Sequence, residues 1–168
     1  MNCKTILLLL TTTLLLTRCS SGNDEYADNY LPNGSTPYES CFGANKPCDP
    51  YFGCSEVTVT SSNSSDVIVI LKSGEEVVSH AYIRQGDTYT FNVPNGSIQP
   101  FFYYGNGWNP DKELPSTHCD NLKGGFVNDE SVDKDYPQIL NDNILSYELI
   151  EQVDGNFQTR PSDKNEAF

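Results

Sequence analysis

The sequence predicts an all-β chain, a single antiparallel β-sandwich of about seven strands. Three observations carry this. From Glu56 onward apolar residues recur at every second position, the period of a strand with one buried face. Clusters of Gly, Pro, Asn and Asp punctuate these runs at the spacing of sandwich turns. No internal repeat, heptad or helical stripe of useful length precedes Leu140. At 168 residues the chain is long enough for one well-buried core and too short for two.

The N-terminus reads as an export signal. Lys4 precedes an uncharged run from Ile6 to Thr17 dominated by leucines. A spanning helix needs about 20 apolar residues, so this run is too short to cross a bilayer and fits the apolar part of a cleaved signal peptide over residues 1–18. Leu16, Thr17, Arg18 and Cys19 resemble a bacterial lipobox, although Arg18 departs from the small residue that pattern prefers before the Cys. The resemblance implies that Cys19 is the lipid anchor, with two or three acyl chains making a stable membrane attachment. Ser20 to Glu25 is small and acidic; it resembles the surface-export tag of lipoproteins from the Bacteroidota, and a plain solvated spacer is the alternative.

Residues 19–40 are rich in Asn, Asp, Ser, Gly and Pro without an apolar period, which predicts a lipidated flexible tether ahead of a folded domain over 41–168. Cys41, Cys48, Cys54 and Cys119 belong to that domain. In an oxidising compartment four such cysteines read as two disulfides with three possible pairings. The expected pairing is Cys41 with Cys48 and Cys54 with Cys119. A zinc site on these thiols and His118 is the competing reading, but six and five intervening residues do not match the short ligand pairs of zinc knuckles.

The strands follow in order. Val57 and Val59 alternate with Thr58 and Thr60, and the wholly apolar run Val67–Leu71 suits a central strand covered on both sides. Ser73 to Glu75 turn the chain, and Val77 to Arg84 returns. After Gly86 and Asp87, Tyr89, Phe91 and Val93 point one way and Thr88, Thr90 and Asn92 the other. Pro94, Asn95 and Gly96 suit a tight turn, so Ile98 to Tyr104 is expected to pair back as a hairpin. Gly105 to Gly125 reads as a long loop. A short helical turn is expected near Tyr136 to Asn141, a strand over Ile144 to Val153, and a short strand around Phe157 to Arg160.

Gly86, Asp87, Tyr89, Phe91, Val93, Pro94 and Gly96 resemble the corner of transthyretin-like and carboxypeptidase-regulatory-like sandwiches. A broader set resembles a family of small flavobacterial lipoproteins: Val67–Leu71, His80–Arg84, Gly86, Asp87, Tyr89, Phe91, Phe101–Gly105, Gly107–Pro110, Gly124–Phe126, Asp129–Ser131, Tyr147–Leu149 and Asn165–Phe168. That likeness covers nearly all of residues 41–168. It implies a β fold and a surface location, and it carries over no reaction and no catalytic residue.

The charge excludes one class of partner. Ten basic residues against 23 acidic ones leave a net charge of −13, which disfavours nucleic acid. The sequence predicts no cofactor and no enzyme activity: Gly-x-Ser-x-Gly, His-Glu-x-x-His and phosphate-cradling glycine loops are all missing from it. His80 reads as a packed histidine. His118 next to Cys119 has the residue types of a nucleophilic pair, but neighbours on an extended chain face apart and an oxidised Cys has no thiolate. Asp129 with Glu130 and Asp133 with Asp135 are the carboxylate pairs a glycoside hydrolase would need, a third-ranked reading. Asp111, Glu113 and Asp120 with those four make a calcium-like crowd without the spaced calcium loop.

The aromatic cluster is the expected recognition feature. Phe101, Phe102, Tyr103 and Tyr104 place two rings on each side of a strand, and Trp108 follows. Tyr103, Asn106, Trp108, Asn109 and Asp111 are therefore the candidate ligand-binding residues, with a glycan-stacking platform at Tyr103 and Trp108 as the specific alternative. The expected function is a non-catalytic binding or structural module, exported and held on the outer membrane, at the cell surface or facing the periplasm, with a glycan or protein partner.

Overall fold

The computed structural model describes residues 25–49, 51–149 and 159–168. The signal segment, the Cys19 anchor and residues 150–158 of the last two expected strands lie outside the described residues.

The fold is an all-β sandwich, and two sheets make it. Strands β1 (Cys54–Thr60), β4 (Thr88–Pro94) and β8 (Ile144–Glu148) form the small sheet in the order β4-β1-β8. The large sheet runs β3-β2-β5-β6-β9, from β2 (Asp66–Ser73), β3 (Glu76–Ile83), β5 (Gly96–Leu114), β6 (Leu122–Lys134) and β9 (Arg160–Pro161). Strand β7 (Gln138–Leu140) pairs with the start of β5. Two one-turn helices, α1 (Glu39–Phe42) and α2 (Lys164–Ala167), flank the sheets.

The core between the sheets is what the alternation in the sequence dictates. Val57 and Val59 of β1 and Phe91 and Val93 of β4 face Val67, Val69 and Leu71 of β2 and Phe102 of β5. Each such side chain withdrawn from water stabilises the fold by about 1.5–3 kcal/mol. Thr58 and Thr90, and Thr60 and Thr88, pair their hydroxyls on the wet side at 2.9 and 2.8 Å. Strand β2 is buried along its whole apolar run because it lies between β3 and β5 and both of its faces are covered.

The second face of the large sheet carries its own apolar layer. Ile68, Ile70, Tyr82, Phe101, Tyr103, Trp108, Phe126 and Val132 point outward, and Tyr38, Ala167 and Phe168 close over them. This layer corrects the expected tether over 19–40. From Tyr26 the chain is bound to the sheet: Gly34 donates to the Tyr82 carbonyl, Tyr82 to Ser35, Lys46 to Val78, and Trp108 to Asn29, at 2.8–2.9 Å. The segment satisfies the open edge of β3, and Tyr38, fully buried, fastens it.

Five other expectations change. β4 and β5 are not a hairpin: they lie in different sheets, and Pro94–Gly96 is the crossing between them. Both faces of 101–104 are greasy, so that stretch takes a central place beside β2 and β6 rather than an edge beside β4. Gly105–Gly125 is mostly strand, not loop; Gly105, Asn106, Asn109, Gly124 and Gly125 lie at register shifts between β5 and β6 rather than in a connection. Residues 138–140 form β7 instead of a helical turn, with Leu140 buried in the inter-sheet core. Finally, the small sheet is mixed, since β8 runs parallel to β1, and nine strands are formed among the described residues.

Candidate functional site

The disulfides join Cys41 to Cys119 and Cys48 to Cys54, the opposite pairing to that expected. Cys41 rides on α1 above the outer layer, where the β5–β6 connection brings Cys119 beside it. The 48–54 loop closes on itself because the chain turns back at Asp49, whose carbonyl accepts from Phe52 at 3.0 Å and whose carboxylate accepts from Tyr51 at 2.9 Å. All four thiols are thereby consumed, so neither the zinc reading nor a Cys119 nucleophile has a thiolate. His118 is bound otherwise: Nδ1 lies 2.7 Å from the Phe168 oxygen and Nε2 lies 2.9 Å from the Glu75 oxygen.

The expected aromatic platform is interior. Tyr103 is fully buried and Trp108 is 3% exposed. A register shift between Tyr104 and Asn106 reverses the side-chain alternation and puts Trp108 on the same outer face as Tyr103. There Trp108 packs on Tyr82 and Phe126 with ring centroids 5.8 and 5.7 Å apart. Gly124, at φ +105°, makes room for it, since a Cβ there would lie 2.5 Å from the indole. The Tyr103 hydroxyl donates to Glu130 and accepts from the Phe126 amide at 3.0 Å; burial and the Glu130 carboxylate push its pKa well up. A glycan cannot stack on either ring.

The acidic residues after β5 are dispersed rather than convergent. Glu130 takes Lys112 at 3.0 Å and Lys164 at 2.5 Å. Burial opposes its ionisation, but hydrogen bonds from Lys164, Tyr103 and Lys112 outweigh that and hold its pKa below the ordinary carboxylate value. Asp133 accepts from Thr159 at 2.9 Å, and buried Asp135 accepts from Tyr147 at 2.9 Å. Among the described residues no three His, Cys, Asp or Glu side chains group as a metal site. Glu130, Asp133 and Asp135 of those carboxylate pairs thus each hold a partner within the fold. Asn109 accepts from the Asp111 amide at 2.9 Å and shapes its own turn, leaving Asp111 exposed.

Of the five candidates, Asn106 lines a concavity. A hollow of about 190 Å³ is bounded by Ala27–Tyr30, Asp66, Arg84, Gln85, Asn106 and Gly107. One wall comes from the N-terminal segment, which docks through a double contact: Asn29 accepts from the Trp108 amide at 2.8 Å and its side chain donates to the Trp108 carbonyl at 2.7 Å. Gly107, at φ +72°, allows this approach, because a Cβ there would lie 2.6 Å from the Tyr26 oxygen. The Arg84 guanidinium stacks 3.7 Å from the centre of the Tyr30 ring. Asp66 is already engaged, accepting from the Tyr82 hydroxyl and from the Gln85 amide at 2.8 Å. Sequence reasoning missed Tyr30 and Arg84 because one lay in the expected tether and the other at a strand end. Tyr26, Tyr30, Leu31 and Tyr38 inside an otherwise polar stretch were the available signal.

Comparison with known protein families, with curated protein sequences and with solved structures finds no match to this chain.

Proposed function

We propose that this chain is an exported lipoprotein, held on the bacterial outer membrane by acyl chains on Cys19, whose sandwich is a non-catalytic binding or structural module at the cell surface or facing the periplasm. The observation that carries the reading is the pair of disulfides, Cys41–Cys119 and Cys48–Cys54. Bridges of this kind persist in oxidising compartments, and a charged residue, a leucine run and a lipobox-like Cys supply the route there. The likeness to small flavobacterial lipoproteins belongs to the same proposal. Binding, rather than chemistry, agrees with where the reactive residue types go: the cysteines are paired, His80 is buried, and Glu130 is tied to two lysines.

Metabolic labelling with a fatty-acid probe tests the anchor. Wild type takes the label and fractionates with the outer membrane, and Cys19→Ser does neither. An unlabelled wild type, or one retained in the cytoplasm with free thiols, overturns the reading.

A further inference from the structure

We infer that His118 is held as the imidazolium and that its second ring proton fastens residues 162–168 over the outer aromatic layer, so that loss of that proton loosens the segment. This clasp is independent of the anchor and of the binding role proposed above.

His118 lies in the link between β5 and β6. Its Nδ1 is 2.7 Å from the Phe168 oxygen and its Nε2 is 2.9 Å from the Glu75 oxygen. Oxygens of this kind only accept, whereas a neutral imidazole has one N–H and one lone pair. With a single proton the ring can bind Phe168 or the β2–β3 turn, and the other contact sets a lone pair against an oxygen. The imidazolium donates to both. Among the described residues the Thr117 hydroxyl also reaches Nδ1, but at 3.3 Å it stands farther off than the Phe168 oxygen.

The charges carried by the surrounding elements favour the cation. The ring packs edge-on against Phe42 of α1 at 5.6 Å and bridges the turn at Glu75 to Phe168, the C-cap of α2. Those elements and the link carry Glu39 on α1, Glu75 and Glu76 at the turn, Lys164 and Glu166 on α2, and Asp120 beside the ring in sequence. Glu76, Lys164 and Glu166 are spent in ion pairs with Lys46, Glu130 and Lys134. Glu39, Glu75 and Asp120, which are in no ion pair among the described residues, are all acidic, and negative charge nearby favours the protonated ring.

The segment that the clasp fastens covers the outer layer. Phe168 is fully buried, and its ring meets Tyr38 and Tyr103 edge-on with centroids 5.2 Å away in each case. The Ser116 hydroxyl and the Thr117 amide also donate to its oxygen, at 2.9 and 3.3 Å, and Lys72 donates to the Glu166 carbonyl at 2.6 Å. Of the three donors on the Phe168 oxygen, His118 is the shortest and the one that can carry charge. The sense is opposite to that of His80, which accepts from the Tyr38 amide through Nε2. The His118 clasp is complete on the acid side and opens as the pH rises.

The test is NMR of the isotope-labelled full chain from about pH 5 to about pH 9, across the range in which imidazoles ordinarily titrate. At the acid end both His118 ring nitrogens are expected to carry the imidazolium signature, each with its own proton. Loss of one is expected to lower the exchange protection of the Ala167 and Phe168 amides, which donate to Asp163 and Lys164, about tenfold or more, the worth of one charged hydrogen bond. Protection is taken relative to the unstructured rate at each pH, and Val69 is expected to stay unchanged. In His118→Gln, with Val69 protected as in wild type, the two amides are expected to keep one level of protection throughout. A lone pair on either ring nitrogen at the acid end, protection that does not follow the ring proton, or a His118→Gln protein that keeps the wild-type step each overturns the inference.

Discussion

Tyr38 sits over His80: its backbone amide donates to the His80 Nε2 at 3.2 Å, and the two rings stack with centroids 5.9 Å apart. The acceptor role requires the neutral ring. Burial lowers the His80 pKa from 6.5 to about 4, against the opposing pull of the Thr36 carbonyl and Glu39. The unfolded chain therefore binds the proton at higher pH than the folded one, so this site's stability is full above pH 6.5 and is lost as the pH falls towards 4. The loss approaches about 3 kcal/mol. Urea unfolding of wild type between pH 7 and pH 4 checks this, and His80→Gln is expected to flatten the decline in that window. A His80→Gln profile parallel to wild type contradicts it.

The two disulfides differ in the length of chain they close. Cys41–Cys119 spans 78 residues and Cys48–Cys54 spans six. Constraint of the unfolded state scales with the logarithm of that length, so the long bridge contributes about 4.5 kcal/mol and the short one about 2 kcal/mol. Unfolding free energies of Cys41→Ser/Cys119→Ser and Cys48→Ser/Cys54→Ser should fall in that order. Non-reducing peptide mapping must also recover these two pairs, and a 41–48 linkage contradicts the fold.

Trp108 is the single tryptophan of the chain, and it is 3% exposed. Its fluorescence is expected to be blue-shifted and poorly quenched by acrylamide. Trp108→Ala leaves a large void against Tyr82 and Phe126 and destabilises by about 3–5 kcal/mol. Strong quenching in the native protein contradicts this placement.

How much of this was legible in the sequence depends on where pattern and environment coincide. Val67–Leu71 reads as a covered central strand and is one, because neighbours on both edges and layers on both faces make every position alike. Val57, Val59, Phe91 and Val93 are legible because each of their strands has one wet face. The Trp108 stretch is not, since glycine and asparagine at register shifts look the same as loop residues until a partner strand is known. The site suffered most: its N-terminal wall is held by a few scattered hydrogen bonds with no repeating pattern, and Tyr38 is its one fully buried large side chain. Cysteine pairing is a tertiary fact that spacing does not encode.

The most direct check on the account is amide hydrogen exchange at Tyr82 and Trp108, whose N–H groups are held by Ser35 and Asn29 of the N-terminal segment. If residues 26–42 are a built-in layer that frames the hollow, both amides are protected to nearly the same degree as the β2 core. Removal of residues 26–37 would then release them. Exchange of both at the rate of an exposed loop, while Val69 stays protected, would mean that the segment is a free tether and that the hollow does not form.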